Sequence, residues 1–292
     1  MRGLIVVNGY ARDPAYRYQA EQMRDAFARL GVETLTVEGN TYPVEIGPDP
    51  LVRLPQGDFC LFWDKDTYLL EALDRTGIPL FNPAKSIRVC DDKAMTHLAL
   101  AAAGIPMPKT IPAPLCYLPN AEIPPAEADK VGEALGYPLV VKKSYGSLGV
   151  GVWLAEDKET LLGLMNTLKL TPHLYQSYVA ASRGRDLRVI VVGETILGGM
   201  MRQNETDFRS NIGAGGVGVP CPVPPKAAEY ALRAVKTLGL AYAGLDFLLD
   251  EGGEPLLCEV NSNAYFKAFA GATGIPVADI YAAHIVKSVG GI

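Results

Sequence analysis

The segment that most restricts the fold is Gly244-Leu-Asp-Phe-Leu-Leu-Asp-Glu-Gly-Gly-Glu-Pro-Leu-Leu-Cys-Glu-Val-Asn261. Two β-like runs flank Gly252-Gly253, and glycine accepts the positive φ that a two-residue hairpin turn requires. With the turn centred there, the numbers of facing residues sum to 505. Asp246 then stands opposite Glu259, and Asn261 lies two residues further along the same face. The other face, Leu245, Phe247 and Leu249 against Leu256, Cys258 and Val260, is wholly apolar and reads as core. Two carboxylates directly opposed repel each other, and a divalent cation between them removes that cost. Carboxylates with an amide oxygen are hard donors of the kind Mg²⁺ takes alongside phosphate oxygens. A solvated acidic hairpin tip is the plain alternative. The apolar opposite face and Asn261 favour the metal.

Upstream, short apolar runs alternate with helical spacing. Leu4–Val7, Glu33–Val37, Asp58–Trp63 and Leu80-Phe81 read as strands, and Tyr16–Leu30 and Tyr68–Arg75 as helices. That alternation predicts a small parallel α/β unit, and no Gly-x-Gly-x-x-Gly opens its first helix to make a dinucleotide site. Asp92–Ala103 reads as a helix, and the proline-crowded stretch 106–125 as an extended connection with one or two short strands. Leu139–Lys143 and Val150–Ala155 enclose a glycine loop, followed by a helix over Lys158–Leu168. Leu174–Val179 and Leu187–Met201 are β-rich, Asn204–Gly218 is a Gly-rich loop, and Ala227–Leu238 is a helix. There are no internal repeats.

Carboxylates suited to Mg²⁺ prompt a search for phosphate partners. Lys142 and Lys143 end a strand and lead into Ser144-Tyr-Gly-Ser-Leu-Gly-Val-Gly151, where glycines let backbone N–H groups approach phosphate oxygens. The lysine precedes the glycines, so this is a hairpin flap and not a Walker A loop. Lys93 sits near a helix start, an unfavourable place for a surface cation. Asp186 and Arg188 share a strand face, and Arg202 and Arg209 flank the loop containing Asp207-Phe-Arg-Ser-Asn211. Each alone reads as a surface ion pair; their order along the chain makes the case. His97, His173 and His284 are unclustered and read as helix or loop histidines.

A net charge of −5 over 292 residues argues against a partner made of nucleic acid or anionic membrane. The five scattered cysteines form no C-x-x-C pair, so neither a disulfide framework nor a zinc ribbon is expected. The N-terminal apolar run is too short for a signal peptide and no stretch approaches membrane-span length, which predicts a reduced, cytoplasmic setting.

The ordered set resembles the ATP-grasp superfamily, and within it the RimK-like ligases that add glutamate or related amino acids. The resemblance runs from about Leu80 to the end of the chain. It rests on Asn82-Pro-Ala-Lys-Ser-Ile-Arg-Val-Cys-Asp-Asp-Lys93 and Gly104-Ile-Pro-Met-Pro108. Further strings are Val140-Val-Lys142 with Gly146-Ser-Leu-Gly-Val-Gly151, and Gln176-Ser-Tyr-Val179. The last are Gly184-Arg-Asp-Leu-Arg188, Asp207-Phe-Arg-Ser-Asn211 and Glu259-Val-Asn-Ser262.

The resemblance implies an α/β ATP-grasp fold in three parts. These are an N-terminal parallel α/β domain over 1–88, a central lid domain over 89–176, and a C-terminal antiparallel-sheet domain over 177–292 that carries the metal site. It implies nucleotide binding by Lys93, Lys142, Gly146, Ser147, Gly149, Gln176, Tyr178, Val179, Asp186 and Arg188. Arg202, Arg209 and Asn211 would serve the phosphates and the reacting carboxylate, and Asp246, Glu259 and Asn261 would hold two Mg²⁺ ions, with Mn²⁺ as a substitute. Ser177 stands where the hinge often carries an acidic residue, so adenine recognition falls to the backbone and Gln176. Ser262-Asn-Ala-Tyr-Phe-Lys267 departs from the ribosomal-protein-modifying enzymes and is similar to the ligases of amino-group-carrier lysine biosynthesis, which makes Lys267 a candidate for a substrate carboxylate.

The expected activity is ATP-dependent joining of a small-molecule or peptide carboxylate to an amine through an acyl phosphate, with release of ADP and phosphate, by a homo-oligomer. An ATP-grasp phosphotransferase and an ATP-binding module without turnover are the alternatives.

Overall fold

The computed structural model describes residues 1–11, 14–47, 52–147, 149–211 and 215–290. Leu148 of the glycine loop and residues 212–214 of the Gly-rich loop lie outside the described residues.

The chain opens with β1 (Arg2–Val7), α1 (Pro14–Arg29), β2 (Glu33–Glu38), β3 (Phe59–Trp63), α2 (Thr67–Arg75) and β4 (Leu80–Phe81). The four strands form a parallel sheet in the order β2-β1-β3-β4, as the alternation predicts. Helix α2 starts where Asp66 accepts hydrogen bonds from the Tyr68 and Leu69 amides, groups that a helix start otherwise leaves unpaired.

Two helices follow, α3 (Ala84–Asp91) and α4 (Lys93–Ala101), with only Asp92 between them. Asp92 accepts from the Ala94 and Met95 amides and caps α4. A second sheet is built from β5 (Thr110–Pro112), β6 (Leu139–Lys143), β7 (Val152–Ala155) and β8 (His173–Ser177), antiparallel in the order β5-β8-β6-β7. Helices α5 (Pro125–Leu135) and α6 (Lys158–Leu168) cover one face of it, burying Ala128, Val131, Leu161 and Met165 against Leu139, Val141 and Tyr175.

The third sheet has the order β11-β10-β9-β12-β13. Its strands are β9 (Arg185–Val192), β10 (Thr195–Gln203), β11 (Val217–Cys221), β12 (Tyr242–Leu249) and β13 (Pro255–Asn261). Helix α7 (Pro225–Leu238) packs on one side of this sheet, while α8 (Lys267–Thr273) and α9 (Val277–Ser288) carry the chain back to α1. Met23 and Phe27 of α1, Phe59 of β3, Tyr242 of β12, Phe266, and Tyr281 and Ile285 of α9 fill one continuous core. The first and third sheets are therefore one packed body.

Asn82 pins that junction. Its amide nitrogen donates to the carbonyls of Tyr242 (2.8 Å) and Ser262 (2.7 Å), and its oxygen accepts from the amides of Ala241 (2.6 Å) and Tyr242 (2.9 Å). The side chain is 1% exposed, so water replaces none of these bonds.

The β12–β13 hairpin corrects the sequence reading in an instructive way. The turn is not Gly252-Gly253 but the five-residue loop 250–254. The Asp250 carboxylate accepts from the Gly252 (2.9 Å) and Glu254 (2.8 Å) amides, and the Asp250 amide donates to the Glu254 carbonyl (3.0 Å). Facing numbers beside the turn therefore sum to 504, with Leu249 opposite Pro255 and Phe247 opposite Leu257. A β-bulge then inserts Cys258, and the register returns to 505 at Asp246–Glu259. The carboxylate pair faces as expected, but the apolar face does not: Leu245, Phe247, Leu257 and Val260 are buried in core, whereas Cys258 lines the cleft described below.

Replacing Asn82 with Ala strands several buried backbone groups, each worth about 1–3 kcal/mol. Asn82→Ala is expected to lower unfolding free energy by about 3 kcal/mol in urea titration, and a loss within experimental error of zero would contradict the junction role.

Candidate active site

A cleft lies between the second and third sheets. Five cationic side chains, Lys93, Lys142, Arg185, Arg202 and Arg209, line it together with three carboxylates, Asp186, Asp246 and Glu259. Of the residues singled out from the sequence, the structure brings Lys93, Lys142, Gly146, Ser147, Gly149, Gln176, Tyr178, Val179, Asp186, Arg202, Arg209, Asn211, Asp246 and Glu259 to its walls. Arg188, Asn261 and Lys267 stand off the walls.

The centre of the third sheet carries a row of buried charges fixed by strand register. Asp186 on β9 faces Arg202 on β10, and Arg188 on β9 faces Asp246 on β12. The Arg202 guanidinium grips Asp186 through two hydrogen bonds (Nε to Oδ1, 2.7 Å) and also lies 2.9 Å from Asp246 Oδ2. Arg188 binds Asp246 in the same forked manner (Nη2 to Oδ2, 2.9 Å). Asn261 Nδ2 is 3.5 Å from Asp246 Oδ2.

These contacts decide the charge states. Burial alone would raise the Asp246 carboxyl, but Arg188 and Arg202 outweigh it and hold the group below the usual carboxylate range. At Asp186 burial raises the carboxyl, and Arg202 only partly offsets it. Burial opposes the charge on Arg202, yet Asp246 and Asp186 more than reverse this and raise its pKa. The repulsion between Asp246 and Glu259 is thus balanced by the chain's own cations: two arginines on Asp246, and Lys93 with its Nζ 3.3 Å from Glu259 Oε1.

Lys93 opens α4, where the Asp92 cap offsets the unfavourable dipole, and its Nζ also donates to the Gly146 carbonyl at 2.7 Å. The glycine flap is tied across the cleft by Arg209, whose Nη1 donates to the Gly149 carbonyl at 2.8 Å while Asp207 holds its other face. That pairing pulls Asp207 down to about 2. Gly149 has φ +76°, a backbone conformation that favours glycine, and a Cβ there would stand 2.9 Å from Asn211 Oδ1. Gly184 works likewise at the loop's other end: φ is +66°, and a Cβ would meet the Asn204 carbonyl at 2.2 Å.

At the hinge, the Gln176 side chain is committed inward, accepting from Lys142 Nζ at 2.6 Å and donating to Thr110 Oγ1 at 2.9 Å. This leaves Ser177, Tyr178 and Val179 to line the cleft edge. The Tyr178 hydroxyl is buried and has no hydrogen-bond partner among the described residues, an orphaned group that suits a site completed by a ligand. Sequence reasoning missed Cys258, placed on the cleft by its bulge, and His97, whose only signal was its position four residues after Lys93 on α4. Burial raises the Cys258 thiol, which leaves it an inert wall residue.

Among the described residues no three His, Cys, Asp or Glu side chains cluster as a metal site. The donor set is two opposed carboxylates with an amide, which fits Mg²⁺ when phosphate and water oxygens supply the remaining positions. Lys267 lies elsewhere, its Nζ 5.0 Å from the Tyr18 ring centroid.

The profile of the RimK-like ATP-grasp domain matches residues 90–285. Human (Homo sapiens) N-acetylaspartylglutamate synthase A is 36% identical over 239 residues, covering 81% of this chain and 59% of that protein. Danio rerio beta-citrylglutamate synthase B is 35% identical over 261 residues, covering 89% of this chain and 60% of that protein. The chain thus spans about three-fifths of the length of these relatives. The structure of the ATP-grasp ligase PsnB complexed with a phosphomimetic variant of a minimal precursor, Mg and ADP aligns with a TM-score of 0.70 at 15% identity, over 98% of this chain and 97% of that one. That likeness establishes the fold, an α/β architecture with one parallel and two antiparallel sheets.

Removing one partner of a buried ion pair leaves an uncompensated charge and costs about 3–5 kcal/mol. Arg202→Met is expected to lose that much in urea unfolding, and Asp186→Leu added to Arg202→Met is expected to recover part of the loss. A double variant less stable than the single one would contradict the pairing.

Proposed function

The chain belongs to the RimK-like ATP-grasp family, and we propose that it is an ATP-dependent carboxylate–amine ligase forming ADP and phosphate. The observation that carries this reading is the cleft itself. Five cations surround an opposed carboxylate pair beneath a glycine flap, a charge pattern suited to a polyphosphate and its metal.

An ionised carboxylate is a poor electrophile, so amide formation in water needs activation. Transfer of the γ-phosphoryl group of ATP gives an acyl phosphate, which the amine attacks, and ADP and phosphate leave. Protein catalysis of such a transfer is largely positioning and charge neutralisation. Lys93, Lys142 and Arg209 offset phosphate charge, while Arg202 and Asn211 serve the reacting carboxylate. Adenine lies at residues 177–179 between the units spanning 89–176 and 177–292, with Asp186 and Arg188 organising the adjoining strand. Asp246, Glu259 and Asn261 would hold two Mg²⁺ ions, for which Mn²⁺ would substitute, and the positive charge held there would offset that of the phosphate oxygens. Arg209, bonded to Gly149, keeps the flap over the cleft so that water is excluded from the activated intermediate.

Both relatives are named for products ending in glutamate, and we extend this to glutamate as the amine and a small acid or peptide as the carboxylate. Lys267 is assigned to a carboxylate of an acidic substrate, six residues beyond Asn261 at the start of α8. We extend the same reading to a cytoplasmic, homo-oligomeric enzyme.

ADP release from Mg²⁺-ATP, measured across acids paired with glutamate and other amino acids, is expected to require one particular pair. It is expected to fall by about 10²–10³ in Asp246→Asn and Glu259→Gln, the loss typical of removing a charge-stabilising group. ADP formed without any amine would indicate a phosphotransferase, and ATP binding without ADP across the panel a module without turnover. Lys267→Ala is expected to raise the acceptor KM about tenfold, equivalent to about 1.4 kcal/mol, with ATP affinity unchanged; unaltered acceptor kinetics would remove Lys267 from the site.

A further inference from the structure

A chain of polar contacts runs beneath the cleft from the nucleotide end to the metal-ligating strand. Lys142 Nζ donates to Gln176 Oε1 (2.6 Å), and Gln176 Nε2 donates to Thr110 Oγ1 (2.9 Å). Thr110 Oγ1 lies 3.2 Å from His97 Nδ1, and His97 Nε2 lies 3.1 Å from the Cys258 carbonyl oxygen. A carbonyl only accepts, so the proton of the neutral ring is assigned to Nε2, which donates to Cys258. Burial lowers the His97 pKa below its usual value, which keeps the ring in that neutral form.

The position of this bond matters because Cys258 is the extra residue of the β13 bulge. A bulge leaves its inserted residue outside the regular ladder, and a one-residue slip in register turns every side chain to the other face. Without the bulge, the register beside the turn would continue, Cys258 would face Asp246, and Glu259 would turn toward the apolar side. His97 supplies the partner that the Cys258 carbonyl needs. It stands on α4 four residues after Lys93, on the same helix face, and Lys93 contacts Glu259 itself. One helix therefore touches the bulge and the carboxylate that the bulge aims.

We propose that His97 is a positioning residue for the metal-ligating strand: its Nε2–H holds the Cys258 carbonyl and so keeps the bulge that turns Glu259 toward Asp246. The identity of the bound ion rests on the ligase reading above; the register argument does not.

Two variants of like polarity separate this role from simple packing. The amide of Gln at position 97 reaches the place of Nε2, whereas that of Asn ends near Nδ1 and cannot span to Cys258. The readout is the ATP dissociation constant by calorimetry, in EDTA and in excess Mg²⁺, beside thermal melting. Wild type and His97→Gln are expected to show the same Mg²⁺-dependent tightening within about threefold. His97→Asn is expected to lose about tenfold of it, with affinity in EDTA equal in all three. His97→Leu carries the same expectation where His97→Asn does not fold. Full tightening in His97→Asn or His97→Leu, whatever the melting temperature, overturns the proposal, and so does an equal loss in His97→Gln. Wild-type ATP affinity that ignores Mg²⁺ removes the metal site itself, a failure of the ligase reading that is visible before any variant is made.

Discussion

The charge row Arg202–Asp186 and Arg188–Asp246 is the constraint to which the surrounding structure answers. Each ion taken from water costs several kcal/mol unless its partners meet it with good geometry. Three adjacent strands, β10, β9 and β12, must therefore hold one register, because a slip would bury these ions among apolar side chains. The apolar reverse of the same strands, Leu187, Val189, Leu245 and Phe247, packs in the core with α7. Polar face and core face thus enforce the same alignment.

From that row the cleft is assembled outward. The β13 bulge sets Glu259 beside Asp246, α4 brings Lys93 to Glu259, and Arg209 ties the glycine flap to the loop next to β10. Asn82 and the shared aromatic core lock the first sheet to the back of β12 and to the segment after Asn261. Residues that follow the carboxylate pair in sequence are in this way held between two sheets. Cations of the chain itself rest on both carboxylates, so their mutual repulsion is offset within the protein.

The sequence made most of this arrangement legible, because its strongest signals are local and periodic. The parallel unit and the opposed pair Asp246–Glu259 were readable, the latter by way of two departures that cancel: a longer turn closed by Asp250, and the bulge at Cys258. Several elements were hidden for identifiable reasons. Helix α5 begins with proline at its first position, which is compatible with a helix start, but Pro125 closes the proline-crowded stretch 106–125 and the ten residues after it carried no reading. Asp92 ends α3 and caps α4 at once, so only the second helix showed. Strand β11 contains Gly218 and Pro220, tolerated because it lies at a sheet edge. Helices α8 and α9 are short and separated by Gly274, which breaks helical spacing. The commitment of Asp246 to two arginines has no sequence signature, since it depends on which strands become neighbours.

The central claim is that this cleft activates a carboxylate with the γ-phosphoryl group of ATP. The most direct measurement uses an acid substrate labelled with ¹⁸O in its carboxylate, with mass analysis of the phosphate released during turnover. An acyl phosphate requires that one carboxylate oxygen leave with the phosphate, so the account predicts one ¹⁸O atom in each phosphate formed. Phosphate carrying no label, while amide product and ADP accumulate, would contradict it.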